Sequence, residues 1–133
     1  MRTAPTVGLA CDRSTFTSMI SDDDVTRLGQ FATFEWREFN QPSSWDEPPP
    51  FDADAEARLV EFAGALDGLI VCHGSPRVTR AVLSAAPRLK VIGELEGDRF
   101  ARRIDVDAAA ELGIPVVTRP MPRRPRSRNG RSR

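Results

Sequence analysis

The sequence is poor in the residues that build metal centres and covalent cross-links, with one histidine and two cysteines among its 133 residues. A single histidine without paired cysteine spacing argues against a metal site. Cys11 and Cys72 each lie in or beside a short apolar run, which favours reduced thiols in a protein core over a disulfide. Neither a metal nor a disulfide framework is therefore expected.

Long apolar segments are also missing. No run approaches the roughly 20 residues that a membrane span requires, and the start M-R-T-A-P-T lacks the apolar stretch of a signal peptide. We therefore predict a cytoplasmic protein without a membrane partner. A chain of 133 residues is long enough for one domain with its own core.

The net charge of zero hides two unlike compositions. Residues 119–133 hold seven arginines and no acidic residue. Removing these seven from the 19 basic residues leaves 12 against 19 acidic ones, a net charge of −7. Because the basic segment has no apolar periodicity, we predict a folded domain over residues 1–118 and a disordered Arg/Pro-rich tail over 119–133.

Short apolar runs alternate with helix-forming segments along the first 118 residues. Five runs read as strands: 6–11, 31–39, 69–72, 89–92 and 114–117. The second run alternates polar and apolar residues and is placed at a sheet edge, whereas the others suit strands buried on both faces. The alternation predicts an incomplete flavodoxin-like parallel sheet of order 2-1-3-4-5, with helices on both faces.

Capping residues mark the predicted helix starts. They are Ser21, Asp52 or Asp54, Ser75 (with Pro76 at the first helical position) and Asp105. Gly113 is placed to end the last helix, and residues 12–14 are read as a polar loop.

Ligands of such a sheet bind at the carboxyl ends of its strands. Three segments follow strands there: 11–13, 73–75 and 93–103. Gly74 and Ser75 could present backbone N–H groups to an anion, or they could form a plain turn. His73 could act as a general base, or it could be structural. Glu94, Glu96 and Asp98 could hold a metal, or they could belong to a solvated loop.

Two longer motifs carry a resemblance to a known family. They are L-D-G-L-I-V-C-H-G-S-P-R-V-T, continuing to A-P-R-L-K-V-I-G, and R-I-D-V-D-A-A-A-E-L-G-I-P-V-V, within residues 66–117. This stretch resembles the N-terminal segment of the D-isomer-specific 2-hydroxyacid dehydrogenases, which include phosphoglycerate, glyoxylate and formate dehydrogenases. Residues 1–65 match that family only in architecture.

The resemblance implies a two-domain, homodimeric parent enzyme. A flavodoxin-like substrate domain is completed by a returning C-terminal helix, and a separate Rossmann domain binds NAD and carries the catalytic Arg, Glu and His. The full-length enzyme transfers hydride between NAD(H) and a small 2-hydroxy or 2-oxo acid. By position, Glu96 and Gly97 match the loop whose N–H groups hold the substrate carboxylate, and Gly74 and Ser75 match the other substrate-facing loop. The acidic Glu96 departs from the glycine-rich family pattern.

The resemblance stops at Val117, and the sequence contains no G-x-G-x-x-G. We therefore expect a segment truncated or frameshifted after Val117, inactive alone, with no catalytic, cofactor-binding or metal-binding residue and no bound NAD. One sheet face and the fifth-strand edge should be bare, which favours self-association. The alternative is a non-enzymatic module whose tail binds nucleic acid or another polyanion; the tail has no aromatic residues for base stacking, so nucleic acid is the less favoured partner.

Overall fold

The computed structural model describes residues 4–42, 49–95 and 103–118, and these residues form a five-stranded parallel sheet flanked by helices. The strands are β1 (Thr6–Cys11), β2 (Thr33–Glu38), β3 (Gly68–Val71), β4 (Val91–Glu94) and β5 (Val116–Thr118). Their order is β2-β1-β3-β4-β5, and every neighbouring pair is parallel. The predicted fold class, strand order and edge position of β2 are confirmed.

The fourth strand lies further along the chain than its apolar run predicted. Leu89 is buried, but its N–H donates to the Ala86 carbonyl in a turn, and Lys90 donates to the Asp67 carbonyl. Leu89 therefore fills the core from the turn before β4. The strand continues through Gly93 to Glu94.

Among the described residues, five helices lie between the strands: α1 (Arg13–Met19), α2 (Asp22–Gly29), α3 (Ala53–Ala63), α4 (Arg80–Ser84) and α5 (Val106–Glu111). Ser21 caps α2 in a reciprocal capping box with Asp24. Asp52 rather than Asp54 caps α3, and Asp105 caps α5. Gly113 follows α5 with a φ of +74°, the left-handed conformation expected after a helix end.

Two predictions near the helix starts were wrong. Residues 12–14 are not a loop, because the Asp12 carboxylate accepts from the Thr15 N–H at 2.7 Å and begins α1. Ser75 does not cap α4; Thr79 does, through the Val82 N–H at 3.4 Å. The residues between Ser75 and Thr79 form no helix, and Val78 forms an isolated bridge with Ile104.

The main core lies between one face of the sheet and the helices α3, α4 and α5. Leu59 and Phe62 of α3 pack there with Leu69 of β3 and Ile92 of β4. Gly8 of β1 permits this close packing. A Cβ atom at Gly8 would lie 2.5 Å from Leu66 Cδ1 and 2.6 Å from Phe62 Cζ.

The opposite sheet face has a smaller core beneath α1. Leu9, Cys11 and Cys72 are buried there, and Phe16 packs against them. The Phe16 and Trp36 rings stack with centroids 4.4 Å apart. Helix α1 therefore covers the part of this face that is formed by the carboxyl ends of β1 and β3 and by β2.

Within the three described ranges, no helix has the length and apolar character that crossing a membrane would require.

Candidate functional site

The carboxyl ends of β1, β2 and β3 meet around Gly74. The Gln41 N–H donates to the Gly74 carbonyl at 2.9 Å, and the Asp12 N–H donates to the His73 carbonyl at 2.9 Å. The Phe39 N–H donates to the Cys11 carbonyl at 3.1 Å. These backbone bonds bring the predicted segments 11–13 and 73–75 together at one edge of the sheet.

Gly74 is held in a conformation that favours glycine, with a φ of +94°. An added Cβ would lie 2.7 Å from the Phe39 carbonyl oxygen and 2.8 Å from the Asp12 backbone nitrogen. Both obstructing atoms belong to the backbone of neighbouring segments, so they cannot rotate away. A side chain at this position would force the strand ends apart.

Ser75 is completely buried beside Gly74. Its N–H donates to the Cys72 carbonyl at 3.0 Å, and its hydroxyl donates to the Pro76 carbonyl at 3.0 Å. Both donors of Ser75 are therefore used to shape the loop. Ligand contact by Gly74 and Ser75 stays a prediction.

His73 points towards solvent at this edge, and its side chain is 46% exposed. Its Nε2 lies 3.9 Å from Oδ2 of Asp12, whose other oxygen caps α1. The separation is too long for a hydrogen bond but short enough for charge attraction when the imidazole is protonated. Sequence reasoning found no partner for His73, because the two residues are 61 positions apart in the chain and meet only where β1 and β3 pair.

A buried ion pair lies at the end of β4. Arg103 Nη1 donates to Glu94 Oε2 at 2.8 Å, and their side chains are only 6% and 0% exposed. The Arg103 carbonyl also accepts from the Val78 N–H at 2.9 Å. Glu94 therefore lies in β4 and in the core, so the alternative that placed it in a solvated loop was wrong.

Glu96 and Gly97, the other predicted carboxylate-binding residues, lie outside the described residues, as do Asp98 and the 119–133 tail. Glu94 is not available as a ligand for the alternative metal site, because the Glu94 carboxylate pairs with Arg103 in the core.

Both cysteines are buried, and neither takes part in a disulfide. Burial raises the pKa of the Cys11 thiol from 9.0 to about 11, opposed in part by a hydrogen bond with the Trp36 side chain and supported by the charge of Asp12. Cys11 is therefore a neutral thiol at physiological pH. The prediction that both cysteines lie in the core is confirmed.

A shallow apolar trough of about 360 Å³ crosses β3, β4 and β5 on the sheet face that α1 covers only in part. Val7, Ile70, Val91 and Val117 line it, together with Gly68 and Gly93. Val91 is 36% exposed and Val117 54% exposed. No helix of the described ranges covers this surface, which we call the apolar trough.

Solved structures of several oxidoreductases share this fold. An acyclic imino acid reductase, solved with NADPH and D-Arg, has a TM-score of 0.62 and 15% identity, with 87% of this chain and 31% of that chain covered. D-lactate dehydrogenase from Escherichia coli has a TM-score of 0.57 and 18% identity, covering 87% and 32%. A protein from Polaromonas sp., assigned as an NAD-binding D-isomer-specific 2-hydroxyacid dehydrogenase, has a TM-score of 0.58 and 20% identity, covering 86% and 30%.

This chain therefore spans about a third of the length of the structures it matches. No protein-family model and no curated protein matches its sequence. The predicted resemblance to D-isomer-specific 2-hydroxyacid dehydrogenases is confirmed at the level of fold.

Proposed function

We propose that this chain is the substrate-domain segment of a D-2-hydroxyacid dehydrogenase. In the full-length parent, hydride would pass between NAD(H) and C2 of a small 2-hydroxy or 2-oxo acid. The observation that carries the proposal is the 2-1-3-4-5 parallel sheet, which matches solved oxidoreductases over 86–87% of this chain but only 30–32% of theirs. The motifs within residues 66–117 support the same assignment.

In this proposal the carboxyl edge around Gly74 forms one wall of the substrate site. The backbone there is rigid, because Gly74, Asp12 and Phe39 are joined or held in contact across three strand ends. Such a wall positions an acid for reaction in a neighbouring domain. Glu96 and Gly97, which follow β4 in the sequence, would hold the carboxylate.

The residues of this chain do not fit NAD. A dinucleotide pyrophosphate binds at a glycine-rich turn before a helix N-terminus, and the sequence has no G-x-G-x-x-G. At the corresponding turn after β1, the Asp12 carboxylate caps α1 and would repel phosphate. The chain alone is therefore proposed to bind neither NAD nor NADH and to be inactive. In the same proposal, residues 1–118 are the domain and residues 119–133 are a tail.

The test is an amide NMR titration of the full chain with pyruvate and glyoxylate, with propionate as the matched acid that lacks the 2-oxo group. We expect the two oxo acids to shift the amide resonances of residues 73–75 and 96–97 most. Amides at the opposite end of the sheet, such as Gly68 and Lys90, should stay unchanged. Equal shifts by propionate, or shifts only at the amino edge, would contradict the proposed substrate wall.

Two variants sharpen this titration. Glu96→Gln removes a negative charge from the proposed carboxylate loop and should tighten oxo-acid binding roughly fivefold, because like charges about 4 Å apart repel by about 1 kcal/mol in water. Glu111→Gln is the control, since Glu111 is an exposed residue that pairs with Arg80 on α4. Oxidation of NADH with either acid by the chain alone would refute the claim that it lacks a cofactor site.

The second candidate function is polyanion binding through the tail. It is favoured by one observation, the seven arginines without an acidic residue in 119–133. Retention on double-stranded DNA that disappears on deleting 119–133, and that weakens steeply with salt, would support it. Retention that survives the deletion would exclude it.

A further inference from the structure

The two cysteines meet on neighbouring strands. Cys11 is the last residue of β1, and Cys72 directly follows Val71, the last residue of β3. These strands pair in parallel, and the last regular pair joins Ala10 to Val71. The next residue on each strand is a cysteine, so the same register sets Cys11 opposite Cys72. Two residues that are distant in the sequence thereby become neighbours.

Backbone hydrogen bonds hold the two chain segments together on both sides of this cysteine pair. The Cys72 N–H donates to the Ala10 carbonyl at 3.2 Å, and the Asp12 N–H donates to the His73 carbonyl at 2.9 Å. Neighbouring strands lie about 4.7–4.9 Å apart, and cysteines joined by a disulfide have Cα atoms about 4.4–6.8 Å apart. The pairing of β1 with β3 therefore supplies the backbone separation that a disulfide requires.

Both cysteine side chains also lie on one face of the sheet. Cys11 is two residues from Leu9 on β1, and Cys72 is two residues from Ile70 of β3, so each of these pairs shares a face. Leu9, Cys11 and Cys72 form the smaller core beneath α1, and Ile70 packs against it. The two sulfur atoms are therefore directed to the same side of neighbouring strands, as a disulfide between them requires.

The cover over these cysteines is a short helix. Helix α1 has seven residues, and four of them are serine or threonine, which are weak helix formers. Phe16 and Ile20, which follows the helix, supply its contacts with the smaller core. A helix held by few apolar contacts opens locally at a low cost in free energy. While α1 is closed, burial keeps the pKa of Cys11 at about 11, so few thiolates form and oxidation is slow.

We propose that Cys11 and Cys72 are a reversible redox pair, whose disulfide joins the carboxyl ends of β1 and β3 when a peroxide oxidises the chain. One thiol, as its thiolate, attacks an oxygen of hydrogen peroxide. The O–O bond breaks, the sulfur becomes a sulfenic acid, and the released hydroxide takes the proton of the thiol to form water. The second thiol then attacks this sulfur, the S–S bond forms, and a second water leaves. The two sulfur atoms thus lose two electrons, which the peroxide gains.

The disulfide acts on the carboxyl edge of the sheet. Asp12 and His73 each directly follow one of the cysteines, and their side chains approach to 3.9 Å. The Cβ atoms of a disulfide lie about 3.5–4.5 Å apart, which is closer than the strand spacing, so oxidation draws the two strand ends together. Asp12, which begins α1, and His73 move with them. A disulfide under such strain is readily reduced, so the change is reversible. The pair needs neither substrate nor cofactor and does not rest on the proposed dehydrogenase function.

The test exposes the folded full chain to hydrogen peroxide and then blocks the remaining thiols with N-ethylmaleimide in denaturant. We expect a monomer that carries no maleimide, is lighter by two hydrogen atoms in its intact mass, and regains both thiols in dithiothreitol. Because the sequence has only two cysteines, such a monomer identifies the bond between Cys11 and Cys72. Trp36 Nε1 donates to the Cys11 carbonyl at 3.1 Å, so the Trp36 indole N–H resonance should shift on oxidation.

Variants connect the bond to the register and to its cover. Cys11→Ala and Cys72→Ala should each abolish the cross-linked monomer. Phe16→Ala removes the ring that stacks on Trp36 and should speed disulfide formation roughly fivefold, because α1 then opens more often. Phe31→Ala is the matched control and should leave the rate unchanged, since Phe31 is 72% exposed and belongs to neither core. Circular dichroism checks that each variant is folded.

The wild-type chain alone decides the proposal if a variant does not fold. Peroxide treatment that leaves both thiols of the folded chain open to maleimide would overturn it, as would disulfide-linked dimers in place of the cross-linked monomer. A monomeric disulfide that forms only above the urea unfolding transition would overturn it too. So would a disulfide whose formation abolishes the native circular dichroism spectrum, because the bond would then not fit between the paired strands.

Discussion

Gly74→Ala tests whether the carboxyl edge of the sheet is as tightly built as its geometry indicates. The Cβ atom meets two backbone atoms, the Phe39 carbonyl oxygen at 2.7 Å and the Asp12 nitrogen at 2.8 Å. Gly113 provides a matched control. It also has a positive φ, +74° against +94°, but an added Cβ there meets nothing within 4 Å. The two variants therefore share the backbone strain and differ in the collision.

The expected losses follow from these two contributions. Placing a non-glycine residue in the left-handed region lowers the free energy of unfolding by about 1–2 kcal/mol, and both variants share this cost. Forcing an extra carbon into a packed site adds about 1–3 kcal/mol for Gly74→Ala alone. The free energy of unfolding should thus fall by about 2–5 kcal/mol for Gly74→Ala and by about 1–2 kcal/mol for Gly113→Ala. Small domains have only about 5–15 kcal/mol in total, so the first loss is a large fraction.

Urea unfolding followed by circular dichroism measures both losses, and two-state behaviour is checked with tryptophan fluorescence, since Trp36 stacks on Phe16 in the smaller core. An equal loss for the two variants would refute the reasoning, because it would mean that the strand ends separate freely. A larger loss for Gly113→Ala would refute it as well.

Two further predictions concern buried ionisable groups. Arg103→Met should lower the free energy of unfolding by about 3–5 kcal/mol, because it leaves the Glu94 carboxylate buried without this ion pair. The double variant Glu94→Leu/Arg103→Met should recover most of that loss. Urea unfolding measures both variants, and a double variant no more stable than the single one would contradict the prediction. The raised pKa of Cys11 means that the unfolded thiol ionises at about 9 while the folded thiol stays neutral up to about 11, so its contribution to stability is complete below pH 9 and is lost as the pH rises towards 11. Wild type should therefore lose more stability than Cys11→Ala between pH 8 and 11 in urea titrations, and parallel losses would show that Cys11 does not remain protonated.

Local patterns were sufficient for the general architecture. Alternating apolar runs predicted five strands and their order, because buried parallel strands and crossover helices leave distinct periodicities. Ser21 and Asp105 marked helix starts correctly, and Asp52 was one of two alternatives for α3, since each cap bonds to an N–H only three residues away.

Short-range signals failed where tertiary contacts decided the outcome. Helix α1 contains serine and threonine, which are weak helix formers, and its position depends on Phe16 and Ile20 packing on the sheet. Ser75 and Thr79 are both suitable caps in isolation. Ser75 lies in the turn at the end of β3, where its hydroxyl donates to the Pro76 carbonyl, whereas the Thr79 hydroxyl accepts from the Val82 N–H and caps α4.

The composition and periodicity of the sequence determined that this chain would fold as a helix-covered parallel sheet, because both depend on interactions between near neighbours. Only the tertiary structure brought Asp12 beside His73 and buried Glu94 against Arg103. Contacts between side chains far apart in the chain depend on the register of the strands and on the turns at their ends, and no local pattern records these details.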